Sequence, residues 1–288
     1  MLVIDPDRLL NHRAQTFHTQ PGLTLLNAQD AIRFVNERGF VFFWPIQAAL
    51  LPSLWVAAAG DRPVPDDHDD PGHITWDWKD DQLDKRQWYY AKILRRKSTI
   101  ISLEALPFFY ALSPNYGEAY EDMLDQYHQG LVSLEEKQIF EALLREGPLD
   151  SLSLKRSAHL SSVQSEGRFN RAMDLLQTRF RVLPVGISRS GGWKYSFIWD
   201  LTDRYWPDLL EQARPISESQ ARVHLIERYL NSVGAASTRE IRFLFGWTLS
   251  NTTRAIEKIV AAGALVRASL GKEKEPAVAL PALVVDSK

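Results

Sequence analysis

Apolar residues at helical spacing recur in two stretches of this chain about 85 residues apart, each ending in two β-prone runs around a polar turn. In the first stretch Ser133-x-x-Glu136 has the capping-box pattern and opens a helix that turns Ile139, Phe140, Leu143 and Leu144 inward. Gly147-Pro148 stops that helix, and residues 152–160 predict a short second one. Phe169, Ala172, Met173, Leu176 and Phe180 then stand at i, i+3, i+4, i+7 and i+11, the inner stripe of a third helix. Residues 182–188 and 193–199 predict a hairpin turned at Ser190-Gly191-Gly192.

The second stretch repeats this order. Ser217-x-x-Gln220 caps a helix with Ile226, Tyr229, Leu230 and Val233 inward, and residues 238–246 form the short second helix. Ser250 is expected to cap the third, whose inner face is Ile256, Ile259 and Val260. Strands over 265–270 and 277–285 flank a turn carrying Lys272 and Lys274, and residues 204–215 serve as linker. The conserved spacing extends to Arg171-Ala172-Met173 and Arg254-Ala255-Ile256, which occupy matching places. Three helices and a two-stranded wing make a winged-helix unit, and tandem arrays of such units most often handle nucleic acid. The expected fold is mostly α with small β wings (α+β), built of tandem winged-helix domains at 131–203 and 204–288.

Residues 1–130 are expected to form an aromatic and acidic N-terminal domain, and the pattern leaves open whether it is a further winged helix. Residues 28–38 read as a helix ended by Gly39, and Phe40-Val41-Phe42-Phe43-Trp44 as a β-prone run stopped by Pro45. Residues 50–59 predict a helix with Pro52 in its first turn, 60–72 an irregular loop, and 98–103 a strand.

Composition narrows the function. The chain has 288 residues, 45% of them hydrophobic, which is ample for real cores. The absence of Cys excludes disulfides, thiolate catalysis and Cys-bound zinc. No signal pattern or membrane-length apolar run is present, so a cytoplasmic location without membrane contact is expected. Net charge is −2, but its distribution is uneven: residues 151–199 carry eight Lys/Arg against two acids, and residues 61–90 nine Asp against four Lys/Arg. A basic face is enough for phosphate contacts whatever the total.

The candidate DNA contacts follow from that bias. Ser165, Arg168 and Arg171 fall at three-residue spacing on the outward face of the third helix of the 131–203 unit. Lys155, Arg156, Arg189 and Lys194 could hold flanking phosphates, with Arg254 and Lys258 doing the same in the last unit. The plain alternative is that these are solvated faces of ordinary helices.

Candidate chemistry lies upstream. His68-Asp69-Asp70-Pro71-Gly72-His73 has metal-ligand residue types at no recognised metal spacing, so neither metal nor cofactor is expected. In Trp76-Asp77-Trp78-Lys79-Asp80, Trp76 and Trp78 could stack on a base taken out of a duplex. Asp80 or Asp69 could act as general base, and Gln47 is a candidate amide for base recognition. The same aromatics could equally form a core with the Asp residues at its rim. No phosphate-cradling glycine loop or Gly-x-Ser-x-Gly elbow occurs.

The segments Leu152–Val185, Trp193-Lys194-Tyr195 and Gly234-Ala235-Ala236 through Ala262-Gly263-Ala264-Leu265 resemble the winged-helix DNA glycosylases of the AlkZ and YcaQ type. Arg38-Gly39-Phe40 and Leu54-Trp55 are similar more loosely. The resemblance implies tandem winged helices, duplex DNA with a damaged base as partner, and base excision in DNA repair. Members of that family position water with a Gln-x-Gln or Gln-x-Asp motif, where this chain reads Phe42-Phe43-Trp44-Pro45. The resemblance therefore carries no catalytic residue across. Excision, damage sensing and a non-enzymatic DNA-binding regulator are all retained as readings.

Overall fold

The computed structural model describes residues 2–66, 69–115, 117–189, 195–270 and 275–286. Lys194, Trp193, His68, the Ser190-Gly191-Gly192 turn and the wing residues Lys272 and Lys274 lie outside the described residues. The fold is α+β: helices with small, mainly antiparallel sheets.

The chain enters through β1 (Leu2–Ile4) and α1 (Pro6–Thr16), then runs α2 (Ala28–Arg38), β2 (Phe40–Phe42), α3 (Leu54–Ala59), α4 (Ile74–Asp81), β3 (Tyr89–Lys92) and β4 (Ser98–Ile101). After α5 (Leu106–Tyr110) and α6 (Ala119–His128) come α7 (Leu134–Glu146), β5 (Leu149–Asp150), α8 (Ser151–Ser157), α9 (Glu166–Thr178), β6 (Val182–Ser188) and β7 (Ser196–Leu201). Two short helices, α10 (Thr202–Tyr205) and α11 (Leu209–Ala213), fill the expected linker. Then follow α12 (Glu218–Val233), β8 (Ala235–Ser237), α13 (Thr238–Phe245), α14 (Leu249–Ala261), β9 (Val266–Leu270), β10 (Glu275–Ala279) and β11 (Val284–Asp286).

The order helix, strand, helix, helix, strand, strand thus occurs three times, starting at α2, α7 and α12. In each case the sheet order places the last strand between the other two: β2-β4-β3, β5-β7-β6 and β8-β10-β9. The N-terminal third, ambiguous in its sequence pattern, has the same topology as the other two units.

Local chemistry explains most element ends. Ser133 and Ser217 form reciprocal capping boxes with Glu136 and Gln220, and Gly39 ends α2 at φ 81°. Three expectations shift. Helix α3 starts at Leu54 because Ser53 Oγ accepts from Val56 N at 3.2 Å, and Pro52 stays outside with its carbonyl accepting from Phe42 N. Helix α14 is capped by Thr248, whose Oγ1 accepts from Asn251 N at 3.2 Å, rather than by Ser250. The single strand expected over 277–285 is broken by a turn at Pro281–Leu283, so β11 pairs with β1 while β10 pairs with β8 and β9. Through that pairing residues 2–16, counted with the N-terminal region by sequence, sit on the last sheet and on α12.

Both faces of β2 are covered, which is why its run is apolar at every position. Phe40 and Phe42 join a core with Tyr89, Ile101 and the α12 residues Ile226, Tyr229 and Leu230. Val41 and Phe43 face a second core with Phe34, Leu54, Trp78 and Trp88. The unit from α7 to β7 has its own core around Ile139, Phe140, Phe169, Met173 and Leu176.

Candidate nucleic-acid interface and base pocket

The third helix of each unit buries the same i, i+3, i+4, i+7 pattern. In α9 these positions are Phe169, Ala172, Met173 and Leu176; in α14 they are Thr252, Ala255, Ile256 and Ile259. In α4 they are Thr75, Trp78 and Lys79, followed by Gln82 at its C-cap. A lysine therefore stands in the core slot held elsewhere by Met173 and Ile256. On the outward side Asp77 occupies the place of Arg171 and Arg254. The first unit's third helix is acidic where the other two are basic.

Lys79 is 2% exposed, and its Nζ lies 4.8 to 5.9 Å from the ring centroids of Phe197, Trp76, Tyr90, Phe43 and Tyr195. It pairs with Asp80 Oδ1 at 2.6 Å and donates to the Tyr195 hydroxyl at 3.2 Å. Ring quadrupoles, one carboxylate and one hydroxyl replace the water that a buried ammonium loses. Desolvation pulls the Lys79 pKa down, and Asp80 opposes that fall. Tyr195 is held above its usual range by burial and then by the Asp80 carboxylate.

Beside this cage opens a cavity of about 700 Å³ walled by Trp44, Trp76, His73, Asp69 and Asp77. The Trp44 and Trp76 rings meet edge to face at 6.0 Å, and Trp76 remains 39% exposed. At one rim Asp70 accepts from Arg62 Nη2 at 2.6 Å and from Gly72 N at 2.7 Å. Those bonds, the Arg62 one foremost, hold its carboxyl below the usual range. An open indole face with carboxylates around it suits a planar, electron-poor or cationic ring.

The structure separates the residues that sequence placed together. Trp78 is 7% exposed and belongs to the core, so it is not available for stacking; Trp76 is. Asp80 is occupied by Lys79 and Tyr195 and borders a different cavity of about 550 Å³ with Asp77, Asp81, Asp84 and Arg189. Gln47 borders a third, of about 480 Å³, with Arg13 and Glu240. Of the two candidate general bases, Asp69 alone lines the cavity of Trp44 and Trp76, and Gln47, the candidate amide for base recognition, does not.

The candidate cations divide in the same way. Ser165 is buried, its hydroxyl donating to Ser162 O at 2.7 Å, which corrects its expected outward position. Lys155 is held by Glu166 at 2.8 Å and Arg168 by Glu135 at 3.0 Å. Lys258 donates to Ser219 Oγ at 2.7 Å, and Arg156 donates to Ser153 Oγ at 3.4 Å beside the Asp150 carboxylate. Arg189 faces the acidic cavity just described. Arg171 and Arg254 are exposed and pair with no described carboxylate.

The sequence pattern of the family described as AlkZ related matches residues 25–246. The chain belongs to the AlkZ-related family. No curated protein matches it. Among solved structures, the Streptomyces sahachiroi DNA glycosylase AlkZ is similar in fold, with a TM-score of 0.62 at 14% identity over 97% of this chain and 71% of that one. In this AlkZ-related chain Phe42-Phe43-Trp44-Pro45, where the resemblance looks for a glutamine motif, supplies Phe43 to the Lys79 cage and Trp44 to the cavity wall. Sequence alone gives Trp44 and Tyr195 no role, and Lys79 enters only as part of the Trp76–Asp80 segment. A further signal for Lys79 is its place at an inner helical position.

Among the described residues no helix is long and apolar enough to cross a membrane.

Proposed function

We propose that this protein works in DNA repair, binding duplex DNA through the outward faces of α9 and α14 and receiving a damaged base against Trp44 and Trp76. The observation that carries this reading is the 700 Å³ cavity with an exposed indole wall and a carboxylate rim, in a chain of the AlkZ-related family. A base turned out of the stack gains a π-face contact there, and the rim favours one made cationic by alkylation. In this reading Asp69, one of the carboxylates that line the cavity, orients water for hydrolysis of the N-glycosidic bond.

The engagement of Asp80 by Lys79 and Tyr195 favours a second reading, a sensor that binds the lesion without excising the base. One experiment separates the two. Plain, abasic and alkylated duplexes are incubated with the protein, resolved by gel shift, then treated with alkali to cut at abasic sites. Breaks confined to alkylated DNA and lost in Asp69→Asn support excision. Tighter binding to alkylated DNA without breaks supports the sensor. Equal, weak binding to all three removes the base pocket.

A further inference from the structure

The turn between β3 and β4 carries Arg95, Arg96 and Lys97 in succession, all exposed and none paired with a described carboxylate. Arg95 (φ 54°, ψ 25°) and Arg96 (φ 55°) both have left-handed backbone, the only consecutive pair of such non-glycine residues among those described. That conformation is disfavoured for any residue with a Cβ, and glycine or asparagine would meet it with less strain. Two long cationic side chains stand there instead. Strain of this kind persists where surroundings enforce it, and it concentrates at ligand clamps.

The enforcement is visible. Buried Thr99 accepts from Leu94 N at 3.1 Å and donates to Lys97 O at 2.8 Å, while Lys97 N donates to Leu94 O at 2.9 Å. The turn is also wedged against the other two units. Lys92 pairs with Asp174 of α9 at 2.6 Å, and its backbone exchanges hydrogen bonds with Gln177 and Thr178. The Arg95 guanidinium lies 4.1 Å over the Phe243 ring of α13. One helical turn before Asp174 stands Arg171, and one turn before Phe243 stands Arg239, with Arg242 adjoining; these three are exposed and pair with no described carboxylate.

We infer that Arg95, Arg96 and Lys97, with Arg239 and Arg242 beside them and Arg171 at the far end, form a ridge that holds consecutive phosphates of the DNA backbone. This rests on the duplex-binding reading above and names the surface that supplies its affinity. The ridge joins the helix that carries Arg171 to the second helix of the last unit, so a strand lying along it also meets the outward face of α9. Its strained geometry fixes where two guanidinium groups leave the backbone, and fixed forks suit phosphate oxygens.

The test measures binding of the full chain to a labelled plain duplex and an alkylated one across a salt series. Arg95→Gln/Arg96→Gln is compared with Arg95→Gly/Arg96→Gly. Both variants are expected to bind on the order of tenfold more weakly at low salt, with the slope of log K against log salt reduced by about 2. Both should keep the wild-type preference between the two duplexes, because phosphate contacts carry no base information. The glycine variant should also melt higher than wild type, which shows that lost binding is not lost folding. Wild-type affinity and slope in both variants would overturn the ridge while leaving duplex binding intact. No binding of either duplex by the wild type would remove both. Binding to polyglutamate as strong as to DNA, lost in the same variants, would overturn the ridge as a DNA site and make it one for acidic proteins.

Discussion

The Tyr195 hydroxyl donates to Asp80 Oδ2 at 3.0 Å, across 115 residues of chain, and so ties the third helix of the first unit to the start of β7 in the second. Removing only that oxygen in Tyr195→Phe leaves the ring in the Lys79 cage and deletes both hydrogen bonds of the hydroxyl, the one it donates to Asp80 and the one it accepts from Lys79. The site is partly open to water, so the loss should be modest, about 1 kcal/mol. A lowered urea midpoint with unchanged slope is the expected result, and an unchanged midpoint would show that the bonds contribute nothing.

Lys79→Met places in α4 the side chain that α9 carries in the corresponding slot. It also leaves Asp80 without its cation, so the single substitution should destabilise by roughly 3 kcal/mol. Lys79→Met/Asp80→Asn removes the orphaned charge and should recover most of that loss. A urea double-mutant cycle checks the coupling, and additive effects of the two changes would contradict it.

Trp76→Ala and Trp78→Ala should behave as opposites. Trp78 is a core residue, and its truncation should cost about 3–5 kcal/mol of stability. Trp76 is 39% exposed on the cavity wall and also one of the rings around Lys79, so its loss should cost less stability than that of Trp78 and weaken the preference for alkylated over plain duplex by roughly 1–3 kcal/mol. Thermal melting and competition binding read the two effects separately.

Arg171→Ala should lower the salt slope of duplex binding by about 1. Arg168→Ala should lower it less, because Glu135 already neutralises that guanidinium at 3.0 Å. The reverse order would mean that Glu135 swings away on DNA binding.

Stability should rise with pH as it climbs from the acid side to about 6.5. His12, His18 and His224 all have pKa values pulled below 6.5 chiefly by burial. Between the folded value and 6.5 the unfolded chain binds more protons, so protonation favours unfolding and stability returns as pH climbs to 6.5. His224 stacks on Phe108 at 3.7 Å. His224→Gln should flatten the dependence of Tm on pH in that range, and an unaltered curve would assign the effect to other groups.

The elements were legible because their determinants are local. The Phe169-Ala172-Met173-Leu176 stripe needs only its own helix, and the Ser133 and Ser217 capping boxes only one turn each. The N-terminal unit was obscure for a physical reason. Its third helix buries Thr75 and Lys79, and Gln82 at its C-cap, with one apolar residue, Trp78, so the hydrophobic stripe that identifies α9 and α14 is missing although the same positions are buried. Ser250 looked like a cap for a similarly local reason: Thr248, two residues earlier, offers the same hydroxyl.

Helix periodicity, capping chemistry and the uneven spread of charge were thus set by the order of residues, since each involves neighbours within a few positions. Which arginine is neutralised was not. Arg168 meets Glu135 and Arg95 meets Phe243 because distant segments converge, and spacing along the chain contains no measure of that. Nor could it say that Asp80, Asp69 and Gln47 would open into three different cavities. Those outcomes follow from how the three units settle against one another: a side chain's partners are chosen by whichever surfaces must leave water together.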